Sequence, residues 1–368
     1  MHIVIVTAAM RAGGSERVIA QLLKEWSNNG VDCTLIMLLK EPIFYDIPES
    51  VNVIKIGEVH NNHYIDKLKK YQRVREIVKS IKPDVVLSLP EEIGVYVIGA
   101  LLGTKIPVVV SERNNPWVMP NKKPTRAFRR LLYPFADGFV FQTKQAASFF
   151  SEKIQNKGIV LKNPLDVSRI PAPYDGEREK IIVGAGRLEK QKNFPLLIDA
   201  FAKFYESHQD YKLIIYGDGS LKESLETYAR TRLPETAFSF PGKASDLPNR
   251  VNRARAFVLS SDYEGVPNVL IEAMAMGVPS VATDCAPGGA ADLITDGVNG
   301  FITPVGDVDA LAEKIIEVVD NKSISDRFSS ESVKIVKQLD AVIVCREWQK
   351  YLESVIGGGN LNENSDKQ

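Results

Sequence analysis

Two doubly wound α/β domains, each on a parallel sheet and facing a cleft, are what this sequence predicts, on three observations. The chain has 368 residues, more than one hydrophobic core of ordinary size organises. Short apolar runs alternate with amphipathic segments, the pattern of a parallel sheet covered by helices on both faces. The alternation halts at a stretch rich in proline and charge and then starts again.

The elements follow in chain order. HIVIVTA, CTLIMLL, VNVIKI, DVVLSL, IPVVVS and GFVFQT read as strands of the first domain. Gly13 and Gly14 follow the first of them, ahead of a helix opening near Ser15 or Glu16. A glycine pair there either admits a ligand to the backbone at a helix N-terminus or makes a tight turn. KGIVLKNPLDVSRIPAPYDGEREK, with three prolines, reads as a linker that puts the domain boundary near 165–178. KIIVGAG, KLIIYGDG, FSFPG, AFVLSS and PSVATD then read as strands of the second domain. The expected division is 1–165, 166–340, a last helix over 341–356 and a disordered tail over 357–368 of Gly, Asn and charge. Ligands of such sheets bind beyond the carboxyl ends of the strands, and candidate residues are sought there.

Composition excludes several classes. Lys+Arg and Asp+Glu are equal at 46 each, so no overall field points to nucleic acid or to a membrane. Cys33, Cys285 and Cys345 are far apart with no CxxC, which favours a reducing cytoplasm over a disulfide frame or zinc site. The N-terminus lacks the pattern of a signal peptide. The longest apolar run, Ile93 to Val110, is broken by Lys105 and Pro107 and is no membrane span. None of the four histidines, His2, His60, His63 and His208, has a catalytic setting, which argues against a Ser/His/Asp hydrolase or a histidine metal cluster.

The densest stretch is 260–294. Glu264 and Glu272 stand eight positions apart, separated by a turn (Gly265, Val266, Pro267), a candidate helix cap (Asn268) and an apolar helical start. A helix N-terminus between two carboxylates offers amides to a phosphate and acids to hydroxyls on either side, which suits a sugar nucleotide. In GAGRLEKQKNFPLLIDAF, Gly184 and Gly186 end a strand, and Arg187 and Lys192 precede an amphipathic helix. Two cations beyond a strand's carboxyl end suit a pyrophosphate, which Arg binds through two nitrogens at once. Asp307-x-Asp309 has the form of a metal-binding acidic pair but reads more naturally as the cap of a helix starting near Ala310.

Two basic segments lie in the first half. In YIDKLKKYQRVREIVKSIKP one helical face carries Ile65, Leu68, Tyr71, Val74, Ile77, Val78 and Ile81, with Lys67, Lys69, Lys70, Arg73, Lys79 and Lys82 crowding much of the rest. Lys122, Lys123, Arg126, Arg129 and Arg130 accompany Trp117, Phe128, Leu131 and Leu132. The pattern fits either docking on anionic lipid headgroups or packed helices with solvated polar faces.

With these residues in view, the chain resembles the retaining GT-B glycosyltransferases of family four, from the Gly13-Gly14 turn to about residue 355. EGVPNVLIEAMAMGVPSVATD is similar to the family's E-x7-E element and following strand, and GRLEKQKN to its phosphate-binding segment. SERNNP at 111–116 and DCAPGGAADLI are similar to bacterial members that build surface polysaccharides or lipid-linked oligosaccharides. The resemblance implies that Glu272 holds the ribose hydroxyls, Glu264 the transferred sugar, and Arg187 and Lys192 the diphosphate. It places backbone near Val266, Pro267 and Asn268 beside the phosphates, has Gly186 end the strand that carries Arg187, and lets Gly14, next to Gly13, approach the donor. The base is read around Gly242 and Lys243, and the last helix crosses back onto the first domain. Many relatives have a His where this chain has Glu112, followed by Arg113; Glu112 then contacts either the donor sugar or the acceptor.

The expected activity is transfer of a hexose or N-acetylhexosamine from a nucleotide sugar, expected to be a UDP-sugar, to a polyprenyl-diphosphate-linked saccharide. The product belongs to capsule, exopolysaccharide, O-antigen or glycan synthesis. Expected with it are no metal or other cofactor, no nucleic-acid partner, an anionic membrane surface as partner, and a peripheral place on the inner face of the cytoplasmic membrane. The alternatives are a GT-B sugar-nucleotide epimerase and a non-catalytic sugar-nucleotide-binding protein.

Overall fold

The computed structural model describes residues 1–358 and divides them into two units. The expected tail lies, but for Gly357 and Gly358, outside the described residues.

The first unit is Met1–Pro164 with the C-terminal segment that begins at Ala341. Its strands are β1 (His2–Thr7), β2 (Asp32–Met37), β3 (Asn52–Lys55), β4 (Val85–Ser88), β5 (Val108–Ser111), β6 (Gly138–Phe141) and β7 (Gly158–Val160). They form one parallel sheet in the order β3-β2-β1-β4-β5-β6-β7. Side chains alternate between its faces. Ile3, Ile5, Val85, Leu87, Val109 and Val140 face the helices Gly14–Asn28 and Ala341–Ile356. Val4, Val6, Val86, Val110, Phe139 and Phe141 face the helices His63–Ile81 and Glu91–Leu101.

The last helix belongs to this core. The buried Trp26 indole donates to the Cys345 carbonyl at 2.9 Å, and Trp348 donates to that of Lys162 at 3.2 Å. The Tyr351 hydroxyl accepts from the Phe139 amide and donates to the Lys157 carbonyl, each at 2.7 Å.

The second unit is Leu165–Asp340. Its strands are β8 (Glu179–Ala185), β9 (Lys212–Tyr216), β10 (Phe238–Gly242), β11 (Ala254–Leu259), β12 (Ser280–Thr283) and β13 (Phe301–Thr303). They too are parallel, in the order β10-β9-β8-β11-β12-β13. Phe194, Phe201 and Phe204 of the helix Phe194–Tyr205 pack on one face, and Leu270, Ile271 and Met274 of the helix Asn268–Ala275 on the other. In both units the strand order reverses beside the first strand, between β1 and β4 and between β8 and β11. That reversal leaves a crevice for ligands at the carboxyl ends of those strands.

Several details differ from the sequence reading. Gly158–Val160, inside the expected linker, is an edge strand of the first sheet, and Phe301–Thr303 is an edge strand the pattern did not mark. Three residues are too few to show a period. The helix Gly14–Asn28 starts at Gly14. Asp307 caps the helix Val308–Asp320 by accepting from the Ala310 amide at 2.9 Å, and Asp309 pairs with Lys203. Among the described residues no helix is long and apolar enough to cross a membrane.

Candidate active site

At the crevice of the second sheet, the loops leaving β8 and β11 are sewn together. After β8 come Gly186, Arg187 and a 3₁₀ turn, Lys190–Lys192. Asn193 follows in the left-handed region at φ 42°, where its short polar side chain caps the next helix by accepting from the Leu196 amide at 3.4 Å. The Asp262 amide donates to the Gln191 carbonyl and the Gln191 side-chain amide to the Tyr263 carbonyl, both at 2.9 Å. Ser260 Oγ donates to the Lys192 carbonyl at 2.9 Å, and Asn193 Nδ2 to Asp262 Oδ1 at 2.7 Å.

This stitching delivers the cation of one loop to the carboxylate of the other. Lys192 Nζ is paired with Glu264 Oε1, and Ser261 Oγ donates to the same oxygen at 2.9 Å. Both side chains are nearly buried, at 13% and 10% exposure. An ammonium has three donors, so a Lys192 bonded to Glu264 can still serve an anion. Arg187 is exposed at the rim, its guanidinium 3.5 Å from Gln191 Oε1. Burial, and then the Glu264 charge, push the nearby Cys285 thiol up to about 12, which leaves it protonated and a poor nucleophile.

Close backbone contact fixes the loops. A Cβ on Gly217, which sits at φ 146°, would lie 1.8 Å from the Gly186 carbonyl oxygen, and one on Gly289 would lie 1.6 Å from that of Gly265. Only glycine admits such approaches.

The chain runs from Glu264 straight into the helix Asn268–Ala275. Its N-cap is Pro267, at φ −78° and ψ 103°, with no side-chain cap, so Asn268 is the first helical residue and not the cap the sequence suggested. Proline at the cap fixes the last extended residue and moves the helix start one position on. Glu272 lies in the second turn, half-buried, as is Val266. Gly242, at φ 83°, ends β10 and accepts from the Gly217 amide at 3.0 Å; Lys243 beside it is exposed. Arg187, Lys192, Gly186 and Glu264 thus share one bonded loop pair, with Val266, Pro267, Asn268 and Glu272 continuous with it. Gln191, Asn193, Ser260 and Asp262 hold that pair together and were not marked as site residues by the sequence, although an Asn just before an apolar helix is a recognisable cap signal.

The first unit holds Gly13, Gly14 and Glu112. Gly13 is the N-cap of the first helix, and the Glu16 carboxylate lies over it, 2.2 Å from where a Cβ would stand. Glu112 does not present itself to a substrate. It is 1% exposed, and the buried Tyr133 hydroxyl donates to its Oε1. Burial, and then the Glu91 charge, push its carboxyl up to about 8. The reason is strand register. The Glu112 amide still bonds to the Val140 carbonyl at 2.9 Å, so alternation continues past β5. It turns Glu112 to the face of Val110 and Tyr133, and turns Arg113 to the opposite face with Val109 and Ser111.

The two basic segments also divide differently from the sequence reading. Asp66 and Lys70 are buried as an ion pair at 2.7 Å, while Ile65 and Leu68, assigned to the packed face, are 43% and 62% exposed. Arg129 is buried and donates to the Met119 and Pro116 carbonyls; Arg126 donates to that of Pro120 at 2.6 Å. Tyr96 joins the two segments, lying under Lys67 Nζ at 3.5 Å and 6.4 Å from the Phe128 ring.

Two family descriptions match adjoining parts of the chain: Glycosyltransferase Family 4 over residues 12–169 and Glycosyl transferases group 1 over 170–334. The GalNAc-alpha-(1->4)-GalNAc-alpha-(1->3)-diNAcBac-PP-undecaprenol alpha-1,4-N-acetyl-D-galactosaminyltransferase of Campylobacter jejuni is 26% identical, over 96% of this chain and 99% of its own. From the same organism, the N-acetylgalactosamine-N,N'-diacetylbacillosaminyl-diphospho-undecaprenol 4-alpha-N-acetylgalactosaminyltransferase is 27% identical, over 94% and 97%. Among solved structures, Anabaena HepE in complex with UDP and glucose superposes with a TM-score of 0.80 at 18% identity, covering 96% of this chain and 99% of that one.

Proposed function

The chain belongs to the family 4 glycosyltransferases, and from that premise we propose that it carries a hexose or N-acetylhexosamine, with retention of configuration, from a UDP-sugar to a polyprenyl-diphosphate-linked saccharide. The observation that carries the reading is the Lys192–Glu264 pair at the reversal point of the second sheet, with Arg187 at its rim. The undecaprenol-linked names of the two Campylobacter relatives and the UDP bound to HepE support the choice of acceptor and donor.

In the proposed reaction the bond between the anomeric carbon and the diphosphate oxygen breaks. The acceptor hydroxyl oxygen bonds to that carbon from the same face, and its proton passes to the departing diphosphate. Charge therefore grows on the diphosphate, where Arg187, the free donors of Lys192 and the backbone at Val266–Asn268 stabilise it. Glu264, fixed by Lys192 and Ser261, accepts from sugar hydroxyls. Glu272 accepts from the ribose, with the base at Gly242 and Lys243. The cations supply the charge stabilisation, so the proposal has the reaction run without a metal.

The acceptor's lipid calls for a membrane surface. We assign it to the exposed Tyr64, Ile65, Leu68, Phe128 and Leu131, flanked by Lys69, Arg73, Lys122, Lys123 and Arg130. The test is incubation with a panel of nucleotide sugars and a lipid extract in the presence of chelator, reading nucleoside diphosphate and labelled lipid. Release that needs lipid, survives chelation and favours one donor is the expected result. Conversion of a donor with no acceptor present makes the protein an epimerase and overturns the reading.

A further inference from the structure

Arg113 is the feature of the first unit that the reading above leaves unused. It follows β5, is 8% exposed, and forms no ion pair with any carboxylate among the described residues. One nitrogen, Nη2, donates to Asn163 Oδ1 at 2.7 Å, and the same oxygen accepts from Gln142 Nε2 at 3.2 Å. Side chains that follow three neighbouring strands, β5, β6 and β7, therefore meet at one atom. The hub fixes the guanidinium but does not satisfy it. Arg113 Nε and Nη1 are buried without partners, as are Gln142 Oε1 and Ser111 Oγ.

The buried Glu91 carboxylate accepts from the Arg113 backbone amide at 3.2 Å but makes no ion pair with the guanidinium, and buried polar groups in folded proteins nearly always find partners. A concentration of four such atoms at the carboxyl edge of one sheet marks a place made for something else. Its content is specific: two donor nitrogens of a cation, beside two oxygens that accept from hydroxyls. The matching molecule carries an oxyanion next to sugar hydroxyls, a glycosyl phosphate. The nitrogens are covered, so binding of such a molecule requires side chains at this edge to move aside.

We propose that Arg113, oriented by Asn163, binds a phosphoryl oxygen of the acceptor's glycosyl diphosphate, while Gln142 and Ser111 accept from hydroxyls of its first sugar. This rests on the lipid-linked acceptor proposed above. It makes Arg113, and not Glu112, the substrate-binding residue of the SERNNP segment.

The test is calorimetric titration of wild type, with UDP saturating, by farnesyl-diphosphate-linked N-acetylglucosamine and by farnesyl diphosphate alone. Wild type binds both. Arg113→Ala weakens both by about 30-fold, the scale of a charge-assisted contact, and leaves UDP affinity unchanged. Arg113→Lys recovers only part, because an ammonium lacks the planar fork. Gln142→Leu weakens the sugar-bearing probe and spares farnesyl diphosphate, a split that a merely structural role does not produce. Unchanged probe binding in Arg113→Ala overturns the proposal, as does loss of UDP affinity in its place, which would assign the anion to the donor. Should Arg113→Ala fail to fold, Arg113→Lys and Gln142→Leu carry the same readouts. Binding of the probes by a wild type that transfers no sugar to lipid would leave the site standing and overturn the acceptor reading instead.

Discussion

At the carboxyl edge of the second sheet the buried ammonium of Lys192 meets a carboxylate, Glu264; at the carboxyl edge of the first, the buried guanidinium of Arg113 meets none. Both edges are built on the same strand order around the first strand of the unit. The second is wired in advance, loop to loop, so in the proposed reaction its groups need little rearrangement when charge develops on the leaving diphosphate. The first holds its cation through a neutral amide, Asn163, and leaves two nitrogens unused. In the proposed reaction the second edge carries the chemistry, and in the proposed acceptor site the first edge carries recognition.

The largest expected effect tests the wiring itself. Lys192→Met leaves Glu264 buried without its counter-charge, its carboxylate still bonded to Ser261, and costs about 3–5 kcal/mol of stability, while the double variant with Glu264→Gln recovers a good part of that. Urea unfolding of the two single variants and the double one measures the coupling; additive losses would mean the pair is not a unit.

Next comes turnover. Arg187→Ala and Lys192→Ala each lower the rate of nucleoside diphosphate release by roughly 10²-fold or more, as loss of a charge-stabilising donor does. Rates near wild type in both would erase the chemical distinction between the two edges.

Glu272→Ala is smaller. Loss of the carboxylate proposed to accept from ribose hydroxyls weakens UDP binding by about 10- to 100-fold and leaves the far-ultraviolet circular dichroism unchanged. Unaltered affinity by calorimetry would remove Glu272 from the site.

Smallest in catalysis is Glu112→Gln, with turnover at pH 7 within about twofold of wild type if the group lies away from the substrate. Its signature is pH dependence. The folded carboxyl is raised from 4.5 to about 8, so the folded state holds a proton that the unfolded state has released between those values. Wild-type stability therefore falls relative to Glu112→Gln as pH rises through that window, by up to about 1.4 kcal/mol per pH unit, and the gap stops growing above it. Thermal midpoints of both proteins from pH 5 to 9 check this; parallel curves would place Glu112 at the surface.

The α/β character, the long strands and the charged residues of the second edge were legible because each is a local signal. Apolar runs such as HIVIVTA announce central strands, and Glu264, Arg187 and Lys192 stand just past strand ends. What was not legible depends on partners distant in sequence. Gly158–Val160 is a strand only because Phe139–Phe141 lies beside it. Asp66 and Lys70 pack inward because each neutralises the other and Asp66 also accepts from the Val59 and His60 amides, while Leu68 is left in solvent. One step of strand register turns Glu112 inward to Tyr133 and Arg113 to the opposite face beside Asn163, a phase that the sequence alone does not set.

The most direct test of the contrast between the edges is titration of UDP into wild type, Arg187→Ala and Arg113→Ala, each with chelator present. The expected result is binding to wild type, at least about 10-fold weaker binding to Arg187→Ala, and unchanged binding to Arg113→Ala. Weakened binding to Arg113→Ala with unchanged binding to Arg187→Ala would contradict it.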